Sequence, residues 1–121
     1  MEFSGNQPIY LQIADYICEK ILSKEWKEGD RIPSVREMAV IIEVNPNTVM
    51  RSVTLLQEKD IISNQRGVGF FVSENGFENA MTYMSGHFIN TDLNNLFKKM
   101  DLLNISLPKL KEYYTKYKSD K

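Results

Sequence analysis

Two helix-start signals stand eleven residues apart in this chain, at Ser34 and Asn45, and no other feature limits the fold so tightly. Ser34 and Glu37 have the spacing of a capping box, in which the hydroxyl takes the Glu37 backbone N–H and the carboxylate reaches back. Val35, Met38, Ala39 and Ile42 then supply one apolar face. Asn45 is a helix cap, and Pro46 fits the first helical position, where its missing N–H costs nothing. The helix opened at Ser34 must therefore stop near Glu43, and a tight polar break must lead into a helix that stops near Asp60. Val49, Val53 and Leu56 recur at i, i+4 and i+7 and face inward. At roughly 100° per residue, Asn47, Arg51 and Thr54 fall on the opposite side, flanked by Thr48 and Met50.

The flanking sequence extends this pair. Ile13, Ile17 and Ile21, widened by Ala14, Cys18 and Leu22, mark a first helix over Pro8–Glu25, ended by the turn residues 26–30. After Asp60, the β-prone runs 61–64 and 70–73 enclose Gln65-Arg66-Gly67-Val68-Gly69, which reads as a hairpin whose glycines permit positive φ. Three helices followed by a hairpin make a winged helix-turn-helix. In such a reader the third helix enters the major groove and the wing touches backbone or minor groove. The N-terminus of the third helix favours phosphate, and asparagine and threonine there offer donors and acceptors to base edges.

Beyond Gly76 the pattern is helical again. Phe77, Met81, Met84 and Phe88 are spaced 4, 3, 4, and Ile89, Leu93, Leu96, Met100 and Leu103 are spaced 4, 3, 4, 3. The register slips by one at Phe88/Ile89, which places a break near residues 90–92. Ser106, with Pro108 just inside, opens a last helix carrying Leu107, Leu110, Tyr113, Tyr114 and Tyr117. The last four residues read as a frayed end. One amphipathic helix cannot bury its stripe alone: either it folds back on the winged domain or it meets its twin in another subunit, and the second is favoured because a symmetric dimer is the commonest oligomer. The expected organisation is mainly α with a small β-hairpin: a winged domain over 1–75 and a helical dimerisation extension over 76–121. Phe77, Met81, Met84, Phe88, Leu93, Leu96 and Met100 are the expected dimerisation residues.

Composition excludes more than it suggests. Net charge is −1, so any nucleic-acid reading depends on where single charges sit and not on a basic balance. One cysteine, Cys18, allows no internal disulfide and no Cys-based zinc site; it lies on the first apolar stripe and reads as core. His87, the one histidine, is a poor metal or catalytic candidate. No metal and no cofactor are expected. The longest apolar run, Met38–Ile42, is too short to span a bilayer, and residues 1–5 do not form a secretory signal; a cytoplasmic location follows. No nucleophile–base set is present, and Gly67-x-Gly69 leads into a strand where a phosphate loop needs a helix, so an enzyme is not expected.

Residues 8–72, with their Pro-Ile-Tyr-x-Gln-Ile entry, their Gly29-Asp30-x-Ile-Pro-Ser-x-Arg-Glu segment and their Gly-x-Gly-x-Phe-Val wing, resemble the DNA-binding domain of GntR-type bacterial transcription regulators. "PSVRE" and "VNPNTV" are most similar to the YtrA-like subfamily, in which a short helical extension replaces a large effector domain. The resemblance implies a dimeric repressor on an inverted-repeat operator of double-stranded DNA. It assigns DNA contact to Arg36 beside the capping Ser34, to Asn45, Asn47 and Thr48 at the recognition-helix tip, to Arg51 further along, and to Arg66 and Gly67 at the wing tip. Met50, Phe70, Glu43 and Asp60 depart from the family pattern, the last two standing where glycine usually closes a helix. Plainer readings compete: Arg36 paired with Glu37 or Glu43, Asn45 as a cap alone, Arg66 as a polar hairpin tip, and the Met-rich stripe as packing. The alternative function is a regulator sensing a small-molecule effector through the C-terminal helices, in a pocket lined by Met81, Tyr83, Met84 or Phe88. A third reading is a winged module that binds protein.

Overall fold

The computed structural model describes residues 1–3, 5 and 7–121. Helices α1 (Ile9–Leu22), α2 (Val35–Ile42) and α3 (Pro46–Glu58) are followed by strands β1 (Ile62–Gln65) and β2 (Gly69–Val72). Then come α4 (Gly76–His87), a π-helical turn (Phe88–Asp92), α5 (Leu93–Leu103) and α6 (Leu107–Ser119). The architecture is the expected one, mostly helical with one small antiparallel sheet. By packing, the chain divides into Met1–Met84 and Ser85–Lys121. That division falls nine residues past the one expected at 75/76, because Gly76 and Ala80 of α4 are buried with the first unit.

The core of the first unit is the apolar stripe of each helix turned inward. Ile13, Ile17, Val49, Val53, Leu56 and Ile61 are wholly buried, joined by Met38 and Ile42 from α2 and Val72 from β2. Cys18 sits among them, and burial pushes its thiol up to about 12.

Three helix ends follow one local rule. Val44 N–H donates to Ala39 O at 3.0 Å, Ile61 N–H to Leu56 O at 2.9 Å and Ile105 N–H to Met100 O at 2.9 Å. Each bond spans a left-handed residue that is not glycine: Glu43 (φ 64°), Asp60 (φ 55°) and Asn104 (φ 55°). This is the Schellman arrangement, and the residue after each left-handed one is apolar, as that arrangement favours. The polar-then-β-branched pairs Glu43-Val44, Asp60-Ile61 and Asn104-Ile105 thus stop three helices without glycine.

Four details differ from the sequence expectation. Helix α1 stops at Leu22, three residues early, because Lys24 turns left-handed (φ 65°) and Trp26 folds back, its N–H reaching Lys20 O at 3.0 Å. Pro8 caps this helix from just outside its first turn. The slip at Phe88/Ile89 does not break the helix: the backbone stays helical and absorbs the extra residue as a single π-helical turn, a known device for such insertions. At the C-terminus, α6 continues through Ser119.

Residues 29–32 also do more than turn. Gly29 N–H donates to Val72 O, Val72 N–H to Asp30 O and Ile32 N–H to Phe70 O, each at 2.9 Å. Arg31 bridges Phe71 in antiparallel sense. The wing is therefore backed by a third extended segment.

Candidate nucleic-acid interface

The helix-turn-helix forms as its two start signals dictate. Ser34 N–H donates to Glu37 Oε1 at 3.0 Å, and Glu37 N–H donates to Ser34 Oγ at 3.1 Å. The Ser34 backbone N–H, and after it the Ser34 side chain and the Arg31 charge, hold the Glu37 carboxyl below its usual value of 4.5. Asn45 Oδ1 accepts from Asn47 N–H at 2.8 Å. The plain reading of Asn45 is thus right for its oxygen, which leaves its amide N–H groups as what it can offer outward.

Arg36, Asn45, Asn47, Arg51, Arg66 and Gly67 are exposed, while Ser34 and Thr48 are half-buried. Helix α3 is anchored from behind by Ser52, a wholly buried serine whose Oγ donates to the Tyr10 carbonyl at 2.6 Å and also reaches Thr48 O at 3.2 Å. The wing turn closes with Val68 N–H on Gln65 O at 2.8 Å, and Gly67 takes φ 78° there.

The chain has four arginines, and all lie between residues 31 and 66, on the helix-turn-helix, the wing and the segment that backs it. Among the described residues none of them forms an ion pair; the two ion pairs seen are Lys20–Glu25 and Lys109–Glu112. Arg36 therefore pairs with neither Glu37 nor Glu43. Arginine's planar donor fork suits phosphate and base edges, and leaving it unpaired keeps that capacity.

Two residues that sequence reasoning passed over belong to this surface. The Arg51 guanidinium carbon lies 3.8 Å from the centre of the Tyr10 ring. Arg31 lies against the base of the wing, where a Cβ on Gly69 would fall 2.9 Å from its Nε, so a side chain at 69 would push the guanidinium aside as well as strain a backbone held at φ 143°. The Gly-x-Gly spacing shows the wing turn but not this second duty.

The expected dimerisation residues are split. Phe77 and Met84 are half-buried against the first unit's core, as is Tyr83. Met81 and Phe88 are exposed, Leu93 and Leu96 half-buried and Met100 buried. In the second unit a groove of about 900 Å³ is lined by Leu96, Leu107, Leu110, Tyr113, Tyr114 and Tyr117. Among the described residues no group of three or more His, Cys, Asp or Glu gathers as a metal site, and no helix is long and apolar enough to cross a membrane.

Comparison with known proteins agrees with this geometry. The family model for bacterial regulatory proteins of the gntR family matches residues 9–72, just over half of the chain. The HTH-type transcriptional repressor YtrA of Bacillus subtilis (strain 168) is 37% identical over 118 residues, covering 96% of this chain and 88% of that protein. The uncharacterized HTH-type transcriptional regulator YhcF of the same organism is 45% identical over 73 residues, 60% of each chain. A GntR family transcriptional regulator from Listeria monocytogenes has a similar structure, with a TM-score of 0.77 at 32% identity over 94% of this chain and 98% of that one. A winged reader with an open arginine set and a match across its whole winged domain leaves one conclusion: the chain belongs to the GntR family of bacterial regulatory proteins, as a DNA-binding transcription regulator similar to YtrA and not an enzyme.

Proposed function

We propose that this regulator is a dimeric repressor that binds an inverted-repeat operator and occludes a promoter. The observation that carries the reading is the outward face of α3, where Asn47 and Arg51 are exposed and no described residue neutralises the arginine. Asn47, Thr48 and Arg51 read bases or flanking phosphates, Ser34, Arg36 and Asn45 hold the backbone beside them, and Arg66 and Gly67 approach the minor groove. The relative YtrA, matched over 96% of this chain, carries the name of a repressor, which supports the sign of regulation. In this reading the protein acts on bacterial DNA in the cytoplasm.

Dimerisation through the helical extension is supported by its uncovered apolar surface. Leu102, Leu107 and Tyr114 are 78%, 70% and 61% exposed, the last two along one apolar groove, and exposed apolar surface of this kind marks an interaction site. In this reading the winged domain over residues 1–75 binds DNA, and the exposed apolar positions of the extension over residues 76–121, not the Phe77, Met84 and Met100 that pack within the subunit, pair the subunits and present two α3 helices about 34 Å apart.

Selection of bound sequences from a random DNA pool tests the reading. Enrichment of a palindrome with half-sites one helical turn apart is the expected result; an asymmetric single site, or no enrichment, defeats it. Sedimentation at micromolar concentration is expected to give a dimer, and a monomer alone would refute the pairing. Arg36→Ala, Arg51→Ala and Arg66→Ala combined must abolish operator binding if these residues form the interface.

A second reading is control by a small-molecule effector bound in the groove of the extension, about 900 Å³ and lined by none of the expected Met81, Tyr83, Met84 or Phe88; because Leu107 and Tyr114 belong to both surfaces, such an effector would compete with subunit pairing. Thermal-shift screening with metabolites, with and without operator DNA, separates an effector-controlled regulator from an uncontrolled one.

A further inference from the structure

Among the described residues, Arg51 is the one arginine stacked on an aromatic ring. Its guanidinium carbon sits 3.8 Å from the Tyr10 centroid, a separation at which the flat cation rests on the ring face. Five lysines also face rings, but at 4.8–5.6 Å. The platform is itself fixed, because the neighbouring α3 residue, Ser52, donates to the Tyr10 carbonyl at 2.6 Å. Two consecutive residues of α3 thus hold Tyr10, one through its backbone and one through its ring.

The chemistry of this partner matters. A carboxylate would neutralise Arg51 and occupy its in-plane N–H donors. A ring face takes up only the flat side of the guanidinium, so charge and donor fork remain available. Arg51 is exposed all the while, so its fork is open to solvent on the side away from the ring.

We propose that Tyr10 is a positioning residue for DNA recognition: its ring presets the orientation of the Arg51 guanidinium, so that the donor fork meets the duplex without first losing rotamer freedom. The proposal rests on the reading above in which Arg51 contacts DNA. It extends the recognition apparatus to α1, a helix outside the helix-turn-helix pair.

The test is a double-mutant cycle on the full-length protein, with duplex DNA obtained by the selection described above. Tyr10→Leu is expected to lower affinity about tenfold in the wild-type background, the weight of one cation–π contact with its ordering effect. In an Arg51→Ala background the same change should cost little, since the group it positions is gone. Tyr10→Phe, which keeps the ring, should restore most of the affinity. An equal loss from Tyr10→Leu in both backgrounds, or no loss while Arg51→Ala binds poorly, overturns the positioning role alone. An Arg51→Ala protein that binds as wild type overturns the DNA contact and the proposal with it. A second measurement needs no variant that must fold. In the free wild-type protein, nitrogen relaxation should find Arg51 Nε–H more ordered than Arg66 Nε–H, and equal mobility overturns the proposal.

Discussion

Gly76 lies so close to Ile61 that a Cβ added to it would fall 2.7 Å from the Ile61 carbonyl oxygen, and 2.7 Å from Val72 Cγ1 as well. This contact seats the first turn of α4 on the hairpin that forms the wing. Gly76 N–H donates to Ser73 O at 2.8 Å, which holds the junction on its other side. Alanine favours a helix over glycine by up to about 1 kcal/mol, but one of the obstructing atoms is backbone and cannot step aside. Gly76→Ala is therefore expected to destabilise the protein by about 1–3 kcal/mol, read as a lower urea midpoint with an unchanged slope. A midpoint at or above wild type would mean that α4 is seated differently.

Glu43 closes α2 in the left-handed region, at φ 64° and ψ 51°. A side chain there costs roughly 1–2 kcal/mol, part of which glycine returns through the freedom of its unfolded chain. Glu43→Gly should stabilise by about 0.5–1 kcal/mol, seen as a higher melting temperature. An unchanged or lower value would show that the carboxylate makes a compensating contact in solution.

Glu37 gives the stability a defined acid dependence. Its folded-state pKa is depressed below 4.5, chiefly by the bond from Ser34 N–H. A depressed carboxyl pKa stabilises the fold fully above the unfolded value, and that contribution disappears as pH falls through the folded value. The melting temperature should thus drop on acidification below about 4.5, partly through this box. Glu37→Gln, which stays uncharged, should lie below wild type at neutral pH, and the gap should narrow as the pH falls below that point. A gap that stays constant from neutral pH to strong acid would exclude the carboxylate as its source.

Arg66 at the wing tip and Arg51 on α3 should fail differently when replaced. Arg66→Ala is expected to weaken binding to all sequences and to reduce the slope of log affinity against log salt by about one. Arg51→Ala should cost about 1–3 kcal/mol on the selected site and relax preference at one base position. Salt titrations on selected and random duplexes distinguish them, and identical behaviour of the two variants would remove the division of labour.

What the sequence determined by itself was whatever neighbours along the chain enforce. Ser34 with Glu37 and Asn45 with Pro46 start helices through bonds that span three residues or fewer, and the periodic apolar positions turn the same faces inward. Those local signals place the recognition helix and the wing, and with them most of the candidate interface. The ends near Glu43 and Asp60 were legible too, and only the first helix stopped earlier than its stripe suggested. Glu43, Asp60 and Asn104 stop helices in a role usually given to glycine, and the apolar residue after each is the signal that marks them.

Only the tertiary structure decided the rest, because the partners are far apart in the chain or cannot be told from periodicity. Ser52 and Tyr10 are 42 positions apart, and neither residue type announces a bond to the other. Arg31 beside Gly69, and residues 29–32 as a third extended segment of the wing, depend on backbone pairing across some forty positions. The one-residue slip at Phe88 was visible as a number. Whether it would break the helix or widen one turn depends on the free energy of the surrounding backbone, and here the turn widened.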